Sequence, residues 1–210
     1  MNEKFPNKIP IFPLSGVIYF PKTNLPLNIF EQRYLDLVND TYKKDKLMGM
    51  VQSKKEGVDL YNVGCLGKIS ALKKTEDGRI LINLSGLTRF EIIKEISSNK
   101  LYREFEVDYK KFYMDIASSK DQEKDIIQSD SFFKQAKKFF EQNGLLLNWR
   151  EFEKLDKIQQ INTLSMISPI TNEEKQKLLE SLTLEEKTST LLKIIEFYMY
   201  EKLSENKTLQ

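Results

Sequence analysis

The sequence predicts an α+β protein in two parts: a β-rich N-terminal domain over residues 1–116 with one isolated helix, then an α-helical bundle over 117–210. Three observations carry this. Seven of the eight glycines lie at or before Gly86, and five of the six prolines lie in the first 26 residues, which is the punctuation of turns and short strands. Asp77-Gly78 stands between two apolar runs, a strong hairpin signal. From Ser118 onward only Gly144 and Pro169 interrupt long polar-apolar patterns of helical spacing.

Taken in order, Ile9–Phe12 and Val17–Phe20 are short apolar runs bounded by prolines and read as edge strands, because proline donates nothing to a ladder. Leu25–Phe30 reads as a third strand. In Glu31–Lys43, Tyr34, Leu35, Leu37, Val38 and Tyr42 recur at helical spacing, so this segment is the isolated helix. Leu47–Gln52 returns to strand, and Val63–Leu72 and Arg79–Leu84 flank the hairpin turn. Phe90, Ile92, Tyr102, Phe105 and Val107 continue the β pattern, and short strands at this spacing suggest a small barrel or pseudo-barrel.

In the second half, residues 121–142 carry Ile126, Ile127, Phe132, Phe133, Ala136, Phe139 and Phe140, with Asn143-Gly144 as a stop. A helix over Glu151–Ile167 ends before Ser168-Pro169. Thr171 with Glu174, and Thr183 with Glu186, form capping-box patterns opening helices Asn172–Leu182 and Leu184–Leu203. The last seven residues are polar and expected to fray.

Composition narrows the chemistry. The 210 residues contain no histidine and one cysteine, which rules out Ser-His-Asp or Cys-His catalysis, His or multi-Cys zinc sites and an internal disulfide among them. Charged residues make up 30% and apolar residues 40%, a globular composition. No apolar run reaches the roughly 20 residues of a membrane span, and the polar, proline-broken N-terminus carries no signal-peptide core, so the expected location is cytoplasmic. Lys and Arg number 33 against 31 Asp and Glu, and a net charge of +2 is too mild to call for nucleic acid.

Each chemical motif has a plainer structural reading. Gly64-Cys65-Leu66-Gly67-Lys68-Ile69-Ser70 glances toward a phosphate loop, but two residues rather than four separate the glycines, and Ile69 follows the lysine where a hydroxyl is required. Cys65, between apolar neighbours, reads as a small buried hydrophobe. Glu31, Arg33 and Tyr34 could form a polar recognition cluster, or simply a helix start with a local ion pair. Arg89 reads as a structural fork before a ligand anchor. Lys134, Lys137 and Lys138 lie among the phenylalanines of 132–140, a mixture that can bind single-stranded nucleic acid, but the spacing puts Phe in a core and Lys in water. No motif places a serine beside a lysine as a catalytic dyad, and none calls for a cofactor or metal.

Five segments in order carry a family resemblance. They are Ile11-Phe12-Pro13-Leu14 through Leu25-Pro26-Leu27-Asn28-Ile29-Phe30-Glu31-Gln32-Arg33-Tyr34; Val63-Gly64-Cys65-Leu66-Gly67-Lys68-Ile69; Asp77-Gly78-Arg79; Leu84-Ser85-Gly86-Leu87-Thr88-Arg89-Phe90; and Glu174-Lys175-Gln176-Lys177-Leu178-Leu179-Glu180. Together they resemble the N-terminal (LON substrate-binding) domain family of Lon proteases over residues 9 to about 203. Cys65 stands where the family often has Thr, and Gln32 where some members have Pro. The Ile29-Phe30-Glu31-x-Arg33-Tyr34 form is similar to stand-alone and cereblon-like members more than to full-length Lon. The resemblance implies a PUA-like β pseudo-barrel followed by a helical bundle, without the ATPase and Ser-Lys peptidase modules.

It further implies a non-catalytic protein- or peptide-binding module whose partners are unfolded or damaged polypeptides, or one dedicated protein. Phe20, Pro21, Phe30, Tyr34 and Arg89 are the residues expected to line or support the peptide surface, with the apolar side chains in contact and Arg89 engaging carbonyls or acidic groups. The alternative is RNA binding by analogy with other PUA-like folds, against which the near-neutral charge counts. A small-molecule enzyme is a third reading, against which the absent histidines count.

Overall fold

The computed structural model describes residues 5–55, 59–116 and 129–208. The chain is α+β and divides into two compact units, Met1–Ile116 and Ala117–Gln210.

The first unit is built from β1 (Lys8–Leu14), β2 (Asn24–Ile29), α1 (Gln32–Lys43), β3 (Leu47–Lys55), β4 (Asp59–Leu60), β5 (Val63–Lys74), β6 (Ile80–Ile96), β7 (Arg103–Asp108) and a 3-10 turn, Lys110–Asp115. The strands run β1-β7-β6-β5-β3, and β1 pairs β3 in parallel, so five strands close into a ring. Closure removes the sheet edge that an open arrangement would leave unpaired. Inward-facing Ile9, Ile11, Val51, Leu66, Phe90, Phe105 and Val107 fill the ring.

β1 is therefore no edge strand. Its prolines are tolerated because pairing to β7 covers Lys8 to Ile11 and pairing to β3 covers Ile11 to Leu14. Pro10 and Pro13 each sit where one ladder runs, so a missing donor on the other side breaks nothing. Val17–Phe20 forms no strand at all. Ile18, Tyr19 and Phe20 are buried in an irregular segment that ends in a turn, where the Phe20 carbonyl accepts from Thr23 Oγ1 at 2.7 Å.

The runs read separately as Arg79–Leu84 and around Phe90 belong to one 17-residue strand, β6. It pairs β2 over Ile80 to Ser85 and β7 over Glu91 to Ile96, with β5 along most of its length. Bulges at Leu66/Gly67, Ile69/Ala71 and Ile92/Lys94 supply the extra twist that lets one strand serve both partners. The hairpin before it closes as expected. Thr75 N–H donates to the Arg79 carbonyl at 2.9 Å, and Asp77 accepts from the Arg79 guanidinium at 2.7 Å.

The second unit contains α2 (Ser129–Gln142), α3 (Trp149–Phe152), α4 (Lys157–Ile167), α5 (Asn172–Glu180) and α6 (Leu184–Thr208). Residues 121–128, with Ile126 and Ile127, lie outside the described residues. α6 packs against α2, α4 and α5, burying Leu191 and Ile195. The helix expected over Glu151–Ile167 is two helices. Asp156 caps α4 by accepting Gln159 N–H at 2.7 Å, while Gln159 Oε1 accepts Asp156 N–H at 3.2 Å. That reciprocal box starts a new helix and stops the old one. Buried Gln160 then ties the junction, donating to the carbonyls of Phe152, Glu153 and Leu155. The Thr171/Glu174 box forms in full. At α6, Thr183 accepts Glu186 N–H, but the Glu186 carboxylate reaches back to Leu182 N–H. Residues 204–208, expected to fray, continue α6.

Candidate functional site

The start of α1 is a local arrangement of aromatic and charged groups. Burial of Tyr34, Leu37, Val38 and Thr41 at helical spacing fixes α1 to the barrel, so the residues ahead of Tyr34 face outward. Glu31 is the N-cap, yet its carboxylate makes no capping bond. It pairs instead with Arg33, whose Nε lies 3.0 Å and Nη2 2.8 Å from Oε2. The Arg33 guanidinium lies 4.5 Å from the centre of the Tyr34 ring, which packs on Phe12 at 4.2 Å between centroids. Burial pushes the Tyr34 hydroxyl pKa up, with Arg33 pulling against it and Glu31 adding to it. Directly before this cluster Phe30 is 66% exposed. A large apolar side chain in water beside a stacked ion pair is an adaptable contact surface.

The five residues expected at the peptide surface do not form one patch. Phe30 is largely exposed, and Tyr34 is buried beneath Arg33. Phe20 and Pro21 are buried in the turn that crosses β6 at Gly86. A Cβ at Gly86 would strike the Phe20 carbonyl oxygen, so glycine is what admits the turn. Lys22 N–H donates to the Gly86 carbonyl, and Gly86 N–H to that of Thr23, both at 2.9 Å. Phe20 and Pro21 therefore lie beneath the surface rather than on it.

Arg89 is likewise withdrawn. Its Nε and Nη2 donate to Asp115 at 2.8 and 2.7 Å, its backbone N–H donates to the same carboxylate at 2.9 Å, and its guanidinium lies 4.3 Å from the centre of the Phe112 ring. The pair is buried, with 4% and 11% of the side chains exposed. Arg89 thus ties the 3-10 turn to β6 through Asp115.

The phosphate-loop reading also falls. Gly64 to Ser70 lies within β5, and a Cβ at Gly64 would sit 2.5 Å from the Met50 carbonyl and 2.7 Å from the Phe90 ring. That space is filled by core, not left as a cradle. Cys65 is wholly buried. The far end of α1 lines two clefts, of about 190 and 540 Å³, that share Asp40, Lys43, Lys100 and Tyr102. Within them Tyr102 donates to Asp40 at 2.8 Å and Lys100 to Glu104 at 3.2 Å.

In the helical unit Phe132, Phe139 and Phe140 are core and Lys134, Lys137 and Lys138 are exposed, as the spacing implies. Phe133 departs from that division. With Trp149 and Phe152 it lines a cleft of about 510 Å³. Sequence reasoning gave Trp149 and Lys157 no part. The single tryptophan beside an Asn148 cap was the available signal.

The fold is that of Lon N-terminal domains. It matches a Lon N-terminal domain protein from Xanthomonas campestris with a TM-score of 0.61 at 20% identity, covering 88% of this chain and 96% of that one. The N-terminal domain of the Mycobacterium avium complex Lon protease matches with a TM-score of 0.58 at 13% identity, covering 90% and 98%. The chain belongs to the ATP-dependent protease La (LON) substrate-binding domain family, whose family model matches residues 8–196. Among curated relatives, the Lon protease of Buchnera aphidicola subsp. Schizaphis graminum is 27% identical over 200 residues, which is 90% of this chain and 25% of the relative. That of Cytophaga hutchinsonii is 30% identical over 100 residues, 45% of this chain and 12% of the relative. The chain thus spans a quarter or less of these relatives' length. No helix among the described residues is long and apolar enough to cross a membrane.

Proposed function

We propose that this chain is a polypeptide-recognition module that binds unfolded or damaged chains, or one dedicated protein, in the cytoplasm, and does not itself cut them. The observation that carries this reading is the substrate-binding family match along residues 8–196, joined to an exposed Phe30 beside the Glu31–Arg33 pair. Phe30 supplies apolar contact, Arg33 supplies donors to backbone carbonyls, and Tyr34 on Phe12 holds Arg33 in place. Phe20, Pro21 and Arg89 keep the barrel beneath it in shape. Burial of Cys65 withholds the one thiol from chemistry, which supports a binding rather than a catalytic role.

The test is fluorescence anisotropy of a labelled, permanently unfolded polypeptide titrated with the chain at low and moderate salt. Saturable binding that survives moderate salt is expected, because apolar contact is not screened. Absence of binding, or binding to single-stranded RNA with a steep salt dependence, would overturn the reading.

A further inference from the structure

The helical unit carries a second surface with a different chemistry. Rings packed edge to face line it, Trp149 to Phe152 at 5.4 Å and Phe152 to Phe133 at 6.1 Å, and the buried Phe140 packs against Trp149 at 6.0 Å. Its rim carries Lys134, Lys137 and Lys157. The Lys137 ammonium stands 5.7 Å from the centre of the Trp149 ring, and that of Lys157 stands 4.5 Å from the centre of the Phe133 ring. Glu153 is the one carboxylate lining the cleft among the described residues.

A purely solvated lysine face explains this poorly. Lys137 lies over an aromatic ring rather than pairing with Glu141, one turn along the same helix. Lys157 occupies the first position of α4, where the helix dipole already presents positive potential and a cation is disfavoured. The Asp156 carboxylate beside it is turned inward to its capping box. None of the three lysines forms an ion pair with a carboxylate among the described residues. The site therefore gathers positive potential and aromatic faces at the mouth of one cleft.

We propose that this cleft is a subsite for acidic peptide segments, in which Asp or Glu carboxylates meet the three lysines and a neighbouring aromatic or aliphatic side chain lies on Phe133 and Trp149. It rests on the polypeptide-recognition reading and adds a preference to it. Charge complementarity selects the acidic segment. A nucleic acid would need an extended cationic track, and residues 117–210, with sixteen Asp and Glu against fourteen Lys and Arg, have no net positive charge to favour one.

Trp149 is the one tryptophan in the chain, so its emission reports this site alone. The intact chain is titrated with a Trp-free dodecapeptide of alternating Glu and Phe, with its Gln counterpart, and with oligouridylate. The acidic peptide is expected to change Trp149 emission saturably. The Gln counterpart, or a combined Lys134→Gln, Lys137→Gln, Lys157→Gln variant, is expected to weaken that binding about tenfold. Lys138→Gln, exposed on the same helix outside the cleft, is expected to leave it unchanged, and circular dichroism of the triple variant checks the fold. Equal response to the Gln peptide, indifference to the triple variant, or tighter response to oligouridylate would each overturn the proposal. If the unfolded polypeptide still binds in the anisotropy assay, only the subsite falls. If it does not bind either, the recognition reading falls with it.

Discussion

Two arginines in the first unit do the same chemistry with opposite consequences. Arg89 and Arg33 each pair with a carboxylate and each stack on an aromatic ring, at 4.3 and 4.5 Å from its centre. Arg89 and Asp115 are 4% and 11% exposed, whereas Arg33 and Glu31 are 53% and 47% exposed. Burial separates a structural fork from a contact surface. The buried guanidinium is engaged by Asp115 and the Phe112 ring, and removing the carboxylate leaves a positive charge out of water without its counter-ion at Asp115. The exposed one sits in high dielectric, where its ion pair adds little stability and can be exchanged for a ligand's carbonyls.

The largest effect should come from breaking the buried member. Asp115→Ala removes the carboxylate that holds the buried Arg89 guanidinium and is expected to cost about 3–5 kcal/mol in urea unfolding. A loss under 1 kcal/mol would mean that water reaches the guanidinium. Next, Gly86→Ala forces the Phe20–Pro21 turn off β6 and is expected to cost about 1–3 kcal/mol by thermal melting. The exposed member sharpens the contrast. Arg33→Ala is expected to change stability by less than about 1 kcal/mol, while weakening polypeptide binding severalfold in the anisotropy assay.

The smallest effect concerns pH. Asp77 is held well below the usual carboxylate range by its hydrogen bonds from Arg79 and Thr75, and Glu95 is lowered by its hydrogen bonds from Arg103. A carboxyl more acidic in the folded state contributes stability that is complete above its unfolded pKa and is lost as pH falls through the folded value. Urea midpoints should therefore hold from neutral down to about pH 5 and decline below about pH 4. Arg103→Gln should remove part of that decline. Both pairs face solvent, so the change is small.

What was legible in the sequence was what is decided locally. The Asp77-Gly78 hairpin, the amphipathic α1 and the Thr171/Glu174 box each depend on residues a few positions apart. The Asp156/Gln159 box was equally local and marks the break inside the expected 151–167 helix. Closure of the barrel was not legible. It needs β1 to meet both β3 and β7, and prolines that suggest an edge are also compatible with two ladders that meet at Ile11. The Arg89 partner lies 26 positions away and turns a candidate contact into a support. Phe20 is apolar whether it faces a peptide or the core, and only the Gly86 crossing shows which. Of the five residues expected at the site, the sequence could place Phe30 and Tyr34 near each other because only three residues separate them at the entry to α1.

The most direct measurement is site-specific photocrosslinking to a labelled unfolded polypeptide. A photoreactive phenylalanine analogue replaces Phe30 in one variant and Ile93 in another, both exposed positions of the same unit at 66% and 57%. Crosslinks concentrated at position 30, and reduced by Arg33→Ala, are the predicted result. Equal yields at the two positions, or none at 30 while the polypeptide is bound, would contradict the assignment of recognition to the start of α1.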